Sequence, residues 1–486
     1  MNTRMSGNHT MPIACGDAHT LAIAERGRMV FAWGREIYGH LGTGVLEHQR
    51  TPVPVAGLEG LPDIVAVAAG HCHSAAVTSE GAALLWGCNN SGELGQKDTY
   101  HEVLPVTLAP PQFGGEKVKM VACGGRHTLV VTRAGGLFAF GSGDHGQLGL
   151  GDVQNRSAPV AVVVGRLGEE IIAHVAAGKD HSGVVTSRGS VWTWGSGTKG
   201  CLGSDSEEDQ LVPRARALDG QQGQATALSL ALGFSYTMVV TMCGAVWGFG
   251  CGENGKLGVG DRADRHVPVR VGGEETFGHS KVHMVACGDD HTMAVTEEGA
   301  VWSWGLGMEG ILGHKDQRDR LEPTRVGQEV FGGAKITAID CGLGHSVAVS
   351  EYGALFTWGT AGYTCGSSRI PIGLGHEDFE DKLVPTLVDP DLLLGTRIGR
   401  GLALEPLLAL AFAMGTHHRL GTGQAQVAAG SGRGRRGKSL RAAGKEPAAP
   451  AAEGEDAGSP LQALAGELGL VWMILEMCAD KVQVQP

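Results

Sequence analysis

The sequence predicts an all-β fold: a seven-bladed β-propeller of four-stranded blades, followed by a partly helical, partly disordered C-terminal tail. Two observations carry this. A histidine followed by a hydroxyl residue recurs as His19-Thr20, His73-Ser74, His127-Thr128, His181-Ser182, His291-Thr292 and His345-Ser346, with Tyr236-Thr237 in the remaining slot. The spacings are 54, 54, 54, 55, 55 and 54 residues, so one structural unit is made seven times. Glycine is also in excess, at 79 of 486 residues, against a usual share of about 7%. The excess has no three-residue period, which points to tight turns between short strands.

Each unit reads the same way along its length. Three residues before the histidine stands a glycine: Gly16, Gly70, Gly124, Gly178, Gly233, Gly288 and Gly342. This turn is expected to need a backbone conformation that a β-branched residue cannot reach. The runs Val118 to Cys123 and Thr128 to Thr132 are β-branched-rich and predict two strands around it. Eight residues after the histidine comes another glycine, as in Ser79-Glu80-Gly81, where a positive φ costs glycine little. A third strand carries a framework aromatic followed by glycine: Trp33, Trp86, Phe140, Trp194, Phe249, Trp304 and Trp358. A loop with an x-Gly-x-Leu-Gly core follows, as in Ser91 to Gly95. A Pro/Val segment such as Val267 to Val271 then makes a fourth strand, where proline suits an outer edge. No helix of ten residues fits inside the unit, which excludes tetratricopeptide, ankyrin and armadillo arrays.

Composition narrows the function. The formal net charge of −12 opposes binding of the whole chain to nucleic-acid phosphate. Met1 to Thr10 lack the apolar core of a signal peptide, and no stretch reaches the ~18 apolar residues of a membrane span; Leu402 to Met414 is broken by Glu405 and Pro406. The expectation is a soluble, cytoplasmic protein with no membrane association, the nucleus being the alternative. Of the eleven cysteines, Cys15, Cys123, Cys287 and Cys341 recur at one repeat position and no C-x-x-C pair occurs. That reads as small buried side chains rather than a disulfide framework or a zinc site.

The pattern Cys-Gly-x-x-His-Thr, then Trp-Gly, then x-Gly-x-Leu-Gly resembles the regulator of chromosome condensation repeat. Cys123 to Thr128 with Phe140 to Asp152 carry a close likeness, and the matching units cover about residues 11–388. The resemblance implies the seven-bladed ring and several occupations: guanine-nucleotide exchange on a small GTPase, light sensing through clustered tryptophans, substrate recognition beside a ubiquitin ligase, and plain protein interaction. The photosensor places Trp-Arg before the histidine, and no tryptophan precedes any of the seven here. The exchange factor uses a wedge-like extension from one blade and a basic N-terminal tail. Repeats two to six carry no insertion and the first ten residues hold one arginine and no lysine.

No phosphate loop, nucleophile elbow or other catalytic constellation is present, which leans against an enzyme, and no cofactor is expected. The repeated histidines are expected to be structural, bonding the adjoining backbone with their hydroxyl neighbours. The two residues before each histidine vary between repeats, as a partner-facing surface on a fixed scaffold would. This yields Asp17, His71, Arg126, Lys179, Asp180, Asp289 and Asp290 as candidate partner-binding residues, of which the resemblance sets the four acids, Asp17, Asp180, Asp289 and Asp290, against a GTPase. Repeat seven alone is longer, by eight residues within Gly362 to Gly373, and adds Tyr363 and Arg369. The preferred reading is a scaffold that binds a protein partner, possible partners including a small GTPase.

The period stops after Val388. Residues 389–423 are expected to form a short helical extension, 424–460 a disordered Gly/Ala/Pro-rich linker, and 461–478 a C-terminal helix. The linker holds a basic cluster, Arg433, Arg435, Arg436, Lys438 and Arg441, the one place where nucleic-acid contact or nuclear import has a basis, although a solvated linker accounts for it better.

Overall fold

The computed structural model describes residues 12–394, apart from 25–27, 164–166, 168–169, 219–224, 274 and 366–367. Seven four-stranded antiparallel sheets follow one another along the chain. The third is representative, with strands Val118–Cys123, His127–Thr132, Leu137–Gly141 and Arg156–Ala161 paired in that order. Its second strand is buried throughout, as are its counterparts His73–Thr78 and His291–Thr296. A short run without a polar face fits a strand covered on both sides. The fourth strands, such as Arg265–Arg270 and Arg320–Arg325, are half-exposed and charged, as an outer edge requires.

The first strands of successive sheets touch one another, and Ile336–Cys341 of the seventh touches Ile13–Cys15 of the first, which closes the ring around a central channel. The apolar core is divided accordingly into seven clusters, one at each junction between neighbouring blades. Each contains the framework aromatic of the later blade. Trp86 stands between blades one and two, Trp194 between three and four, and Trp33 between seven and one. All five framework tryptophans are fully buried, each contributing on the order of 3 kcal/mol of apolar burial.

The glycine eight after the histidine has the positive φ expected of it, 84° at Gly81 and 89° at Gly135. The glycine three before the histidine is constrained differently from the expectation. Gly124 is not among the positive-φ residues. A methyl group there would instead meet the His127 ring and lie 2.6 Å from the carbonyl oxygen of Gly178 in the next blade. The same contact runs from each of these glycines to the next, ending with Gly342 on the carbonyl of Gly16. Close approach of backbones, not turn conformation, fixes this position.

The long seventh repeat forms a two-stranded hairpin, Gly362–Cys365 with Ser368–Pro371. The last element described is a five-residue helix, Pro390–Leu394, with Leu393 packed on the core between blades seven and one. The expectations for a helix over 402–414, the linker and the 461–478 helix fall outside the described residues. Among the described residues no helix is long and apolar enough to cross a membrane.

Candidate functional site

The recurring histidines form a closed hydrogen-bonded circuit. Nε2 of His19, His73, His127, His181, His291 and His345 lies 2.8–3.0 Å from the hydroxyl of Ser74, Thr128, Ser182, Thr237, Ser346 and Thr20, always in the following blade. Each hydroxyl in turn donates to a carbonyl of the preceding blade's long loop, as Ser74 does to His40 and Ser182 to Gln147. With its one proton committed there, the hydroxyl accepts from the imidazole, so each ring is the neutral Nε2–H tautomer. Burial agrees, pushing His73, His127 and His345 down to about 3 and His181 and His291 to about 4. In the slot without a histidine, the Tyr236 hydroxyl donates to the His291 carbonyl at 2.6 Å. The histidines therefore bond mainly across to the next blade, rather than to adjoining backbone as the sequence suggested.

The Gly-x-x-His turns and the long loops between third and fourth strands lie at the same end of the strands. There all seven blades line a cavity of about 390 Å³ at the channel mouth. Asp17, His71, Lys179, Phe234, Asp289 and Leu343 follow one another round its rim, with Gly125 and Arg126 between His71 and Lys179. Asp180 lines this cavity and a smaller one of about 130 Å³ beside it, together with His145 and Phe234. Below the rim the wall is small or apolar, including Cys15, Ala69, Cys123, Leu232 and Cys341.

The candidate residues differ in what they do there. Asp17 pairs with His71 of the next blade, and this bond raises the imidazole's affinity for its proton. Lys179 places its ammonium 3.7 Å from the centre of the Phe234 ring. Asp290 does not simply face the partner side: its Oδ1 accepts from Lys256 Nζ at 2.7 Å, and Lys256 is buried. Lys256 also donates to the Asp289 carbonyl and lies 5.6 Å from the Tyr236 ring. Arg126 is exposed, and Asp180 and Asp289 are half-buried. Tyr363 and Arg369 fall on opposite strands of the blade-seven hairpin, paired with Ile370 and Thr364 respectively. Sequence reasoning did not select Phe234, Leu343, Ser142, Asp144 or His145 for the site. Phe234 and Leu343 were visible as apolar residues in otherwise polar turns, whereas the other three come from a loop whose approach needs the fold. Among the described residues no group of three or more His, Cys, Asp or Glu is placed to hold a metal.

Comparison with known sequences agrees with the repeat. The RCC1-like domain profile covers residues 2–275, and the regulator of chromosome condensation (RCC1) repeat covers 298–349. The chain belongs to the RCC1 repeat family. It is 36% identical over 320 residues to the ultraviolet-B receptor UVR8 of Arabidopsis thaliana, covering 66% of this chain and 70% of that one. It is 32% identical to the human E3 ubiquitin-protein ligase HERC2, over 68% of this chain but only 7% of HERC2. Among solved structures, human WBSCR16 superposes with a TM-score of 0.62 at 26% identity, covering 70% of this chain and 85% of that one. Yeast Prp20p superposes at 0.64 and 22% identity, over 76% and 87% of the two chains, a likeness of fold.

Proposed function

We propose that this RCC1-family propeller is a protein-interaction module whose partner docks over the channel mouth. The observation that carries this is convergence. Around one cavity built by all seven blades stand side chains that differ from blade to blade, among them the exposed Phe234 and Leu343 and the exposed Arg126. A rigid frame with variable residues at fixed points is how a scaffold acquires a specific partner. The relatives support a module reading, since a receptor and a ubiquitin ligase both contain a stretch like this one. A cytoplasmic or nuclear setting suits this role.

A photo-crosslinking residue at Phe234, compared with one at Tyr352 in a turn on the opposite face, tests the reading in cells. Capture of the same protein at 234 and not at 352 supports it, and capture at 352 alone overturns it.

The blade-seven hairpin favours a second reading, guanine-nucleotide exchange on a small GTPase. It projects from a long loop on the mouth's face, where a wedge would stand. Labelled GDP release from small GTPases, with and without the hairpin, decides it.

A further inference from the structure

Some charged groups at the mouth are used by the fold and others are not. Asp17 is bonded to His71, and Asp290 to the buried Lys256. The Asp289 carboxylate lines the cavity with no hydrogen-bond or ion-pair partner among the described residues; only its backbone carbonyl is engaged, by Lys256. Arg126 on the opposite arc likewise has no ion-pair partner among the described residues. Asp289 stands between Phe234 of the preceding blade and Leu343 of the following one, which are 41% and 46% exposed.

Resting on the docking face proposed above, we propose that the mouth receives an arginine side chain of the protein partner. Its guanidinium is held by Asp289 with Asp17 behind it, and the partner's apolar residues beside that arginine cover Phe234 and Leu343. Complementarity of charge is one argument. A half-buried carboxylate with no hydrogen-bonded counter-charge is costly, and a cation that arrives with the partner compensates it. Shape is another. The cavity is larger than one side chain, and the exposed Phe234 and Leu343 on either side of Asp289 suit an arginine's methylene stem. Arginine is preferred to lysine because its weakly hydrated, forked head loses less on leaving water and can reach two carboxylates. Arg126, across the mouth, disfavours a second cation and fixes orientation by meeting an acid of the partner.

Protonation gives the arrangement a signature. Burial, Asp17 and Asp290 push the Asp289 carboxyl up to about 7, while Lys256 and Lys179 pull it down. Arg126, His71 on Asp17, Asp144, His145 and Asp180 also face the cavity, together with the wall cysteines. An incoming guanidinium requires the ionised form, so binding should release a proton near neutrality and strengthen as pH rises through 7.

The test uses the full chain and two synthetic peptides, Ac-Gly-Leu-Arg-Leu-Gly-NH2 and its glutamate counterpart, followed by titration calorimetry in two buffers of different ionisation enthalpy. The arginine peptide should bind at least about tenfold more tightly than the glutamate peptide, with proton release, and Asp289→Asn should remove that preference while leaving circular dichroism and Tm unchanged. Equal binding of both peptides, no binding of either at millimolar concentration, or an unaltered Asp289→Asn variant overturns the inference. If Asp289→Asn leaves peptide binding unaltered while capture at Phe234 persists, the arginine falls and the docking face stands; if capture at Phe234 also fails, the docking face falls with it.

Discussion

Six of the junctions between blades are spanned by the chain; the seventh, between blade seven and blade one, is not. Among the described residues no blade mixes strands from the two ends, so contacts close the ring there. The contacts repeat those of the other junctions. His345 meets Thr20 at 2.9 Å, as His73 meets Thr128 at 3.0 Å. Trp33 Nε1 donates to the Gly373 carbonyl, as Trp86 does to His40. Two features are added at the seam. Arg50 lies 3.9 Å from the centre of the Phe379 ring. Asp340 stands where the other blades carry Ala14, Ala68, Ala122, Ala176, Ala231 and Ala286, and its carboxylate accepts from Cys15 N–H at 2.7 Å and Cys341 N–H at 2.9 Å. The difference teaches that the repeat's own interface suffices for closure, covalent continuity lowering only the entropy of bringing blades together.

Acid should have the largest effect. The six histidines hold their protons less tightly folded than unfolded, since burial depresses them below the ordinary 6.5. Their contribution is complete above pH 6.5 and is lost as pH falls toward 4, on the order of 3 kcal/mol for each of His73, His127, His181, His291 and His345. Asp340, raised to about 6 by burial, and Asp289, raised to about 7, work the other way, as do His71, Glu93 and Glu102, their native forms taking up a proton first, but the six fully buried histidines outweigh them. Urea unfolding between pH 7.5 and 5 should show a steep loss of stability with uptake of several protons, and amide exchange should show Ile13–Cys15 opening before the other first strands. A stability that is flat over this range would break the comparison, because the histidine circuit would then not be neutral.

Gly342→Val and Gly124→Val come next. Both introduce a side chain into a histidine ring and a neighbouring carbonyl, one at the seam and one within the continuous ring. Each should cost about 3 kcal/mol or more in denaturant midpoint analysis, and equal losses would confirm that seam and internal junctions are the same interface.

Asp340→Ala restores at the seam the residue found in the other blades. Losing the Cys15 bond is offset by no longer burying a carboxylate, so global stability should move by less than about 1 kcal/mol. Exchange of the Cys15 amide should nevertheless accelerate about tenfold while that of Ala69 stays unchanged, which locates the carboxylate's role at the seam.

The smallest effect should follow excision of residues 363–370. Gly362 is paired with Pro371, and Ile372 N–H donates to the Ala361 carbonyl, so the chain leaves and returns at one place. The staple Ala361 N–H to Asp381 matches Gly307 to Asp319 across the longer loop. Melting should shift by a few degrees at most.

The seven units, their four strands and the turn glycines were legible in the sequence because each depends on residues close along the chain that recur in register. What decides the employment of individual charges was not. Lys256 and Asp290 meet from different blades, and nothing in either segment announces the other. The reason for Gly124 was misread because the carbonyl it abuts lies 54 residues away in the sequence. Asp340 was detectable as the one carboxylate in a column of alanines, a break in recurrence rather than a member of it.

Closure by contacts has a topological consequence. Ile13 and Val388 are buried in the same cluster, so the two ends of the repeat region lie at one blade junction. The order in which the blades are synthesised is then separable from the order in which they stand. A circular permutant that begins at Ile64 and joins Val388 to Ile13 through a short linker would place every histidine opposite the same hydroxyl, and would move the uncovered seam to the junction between the present first and second blades.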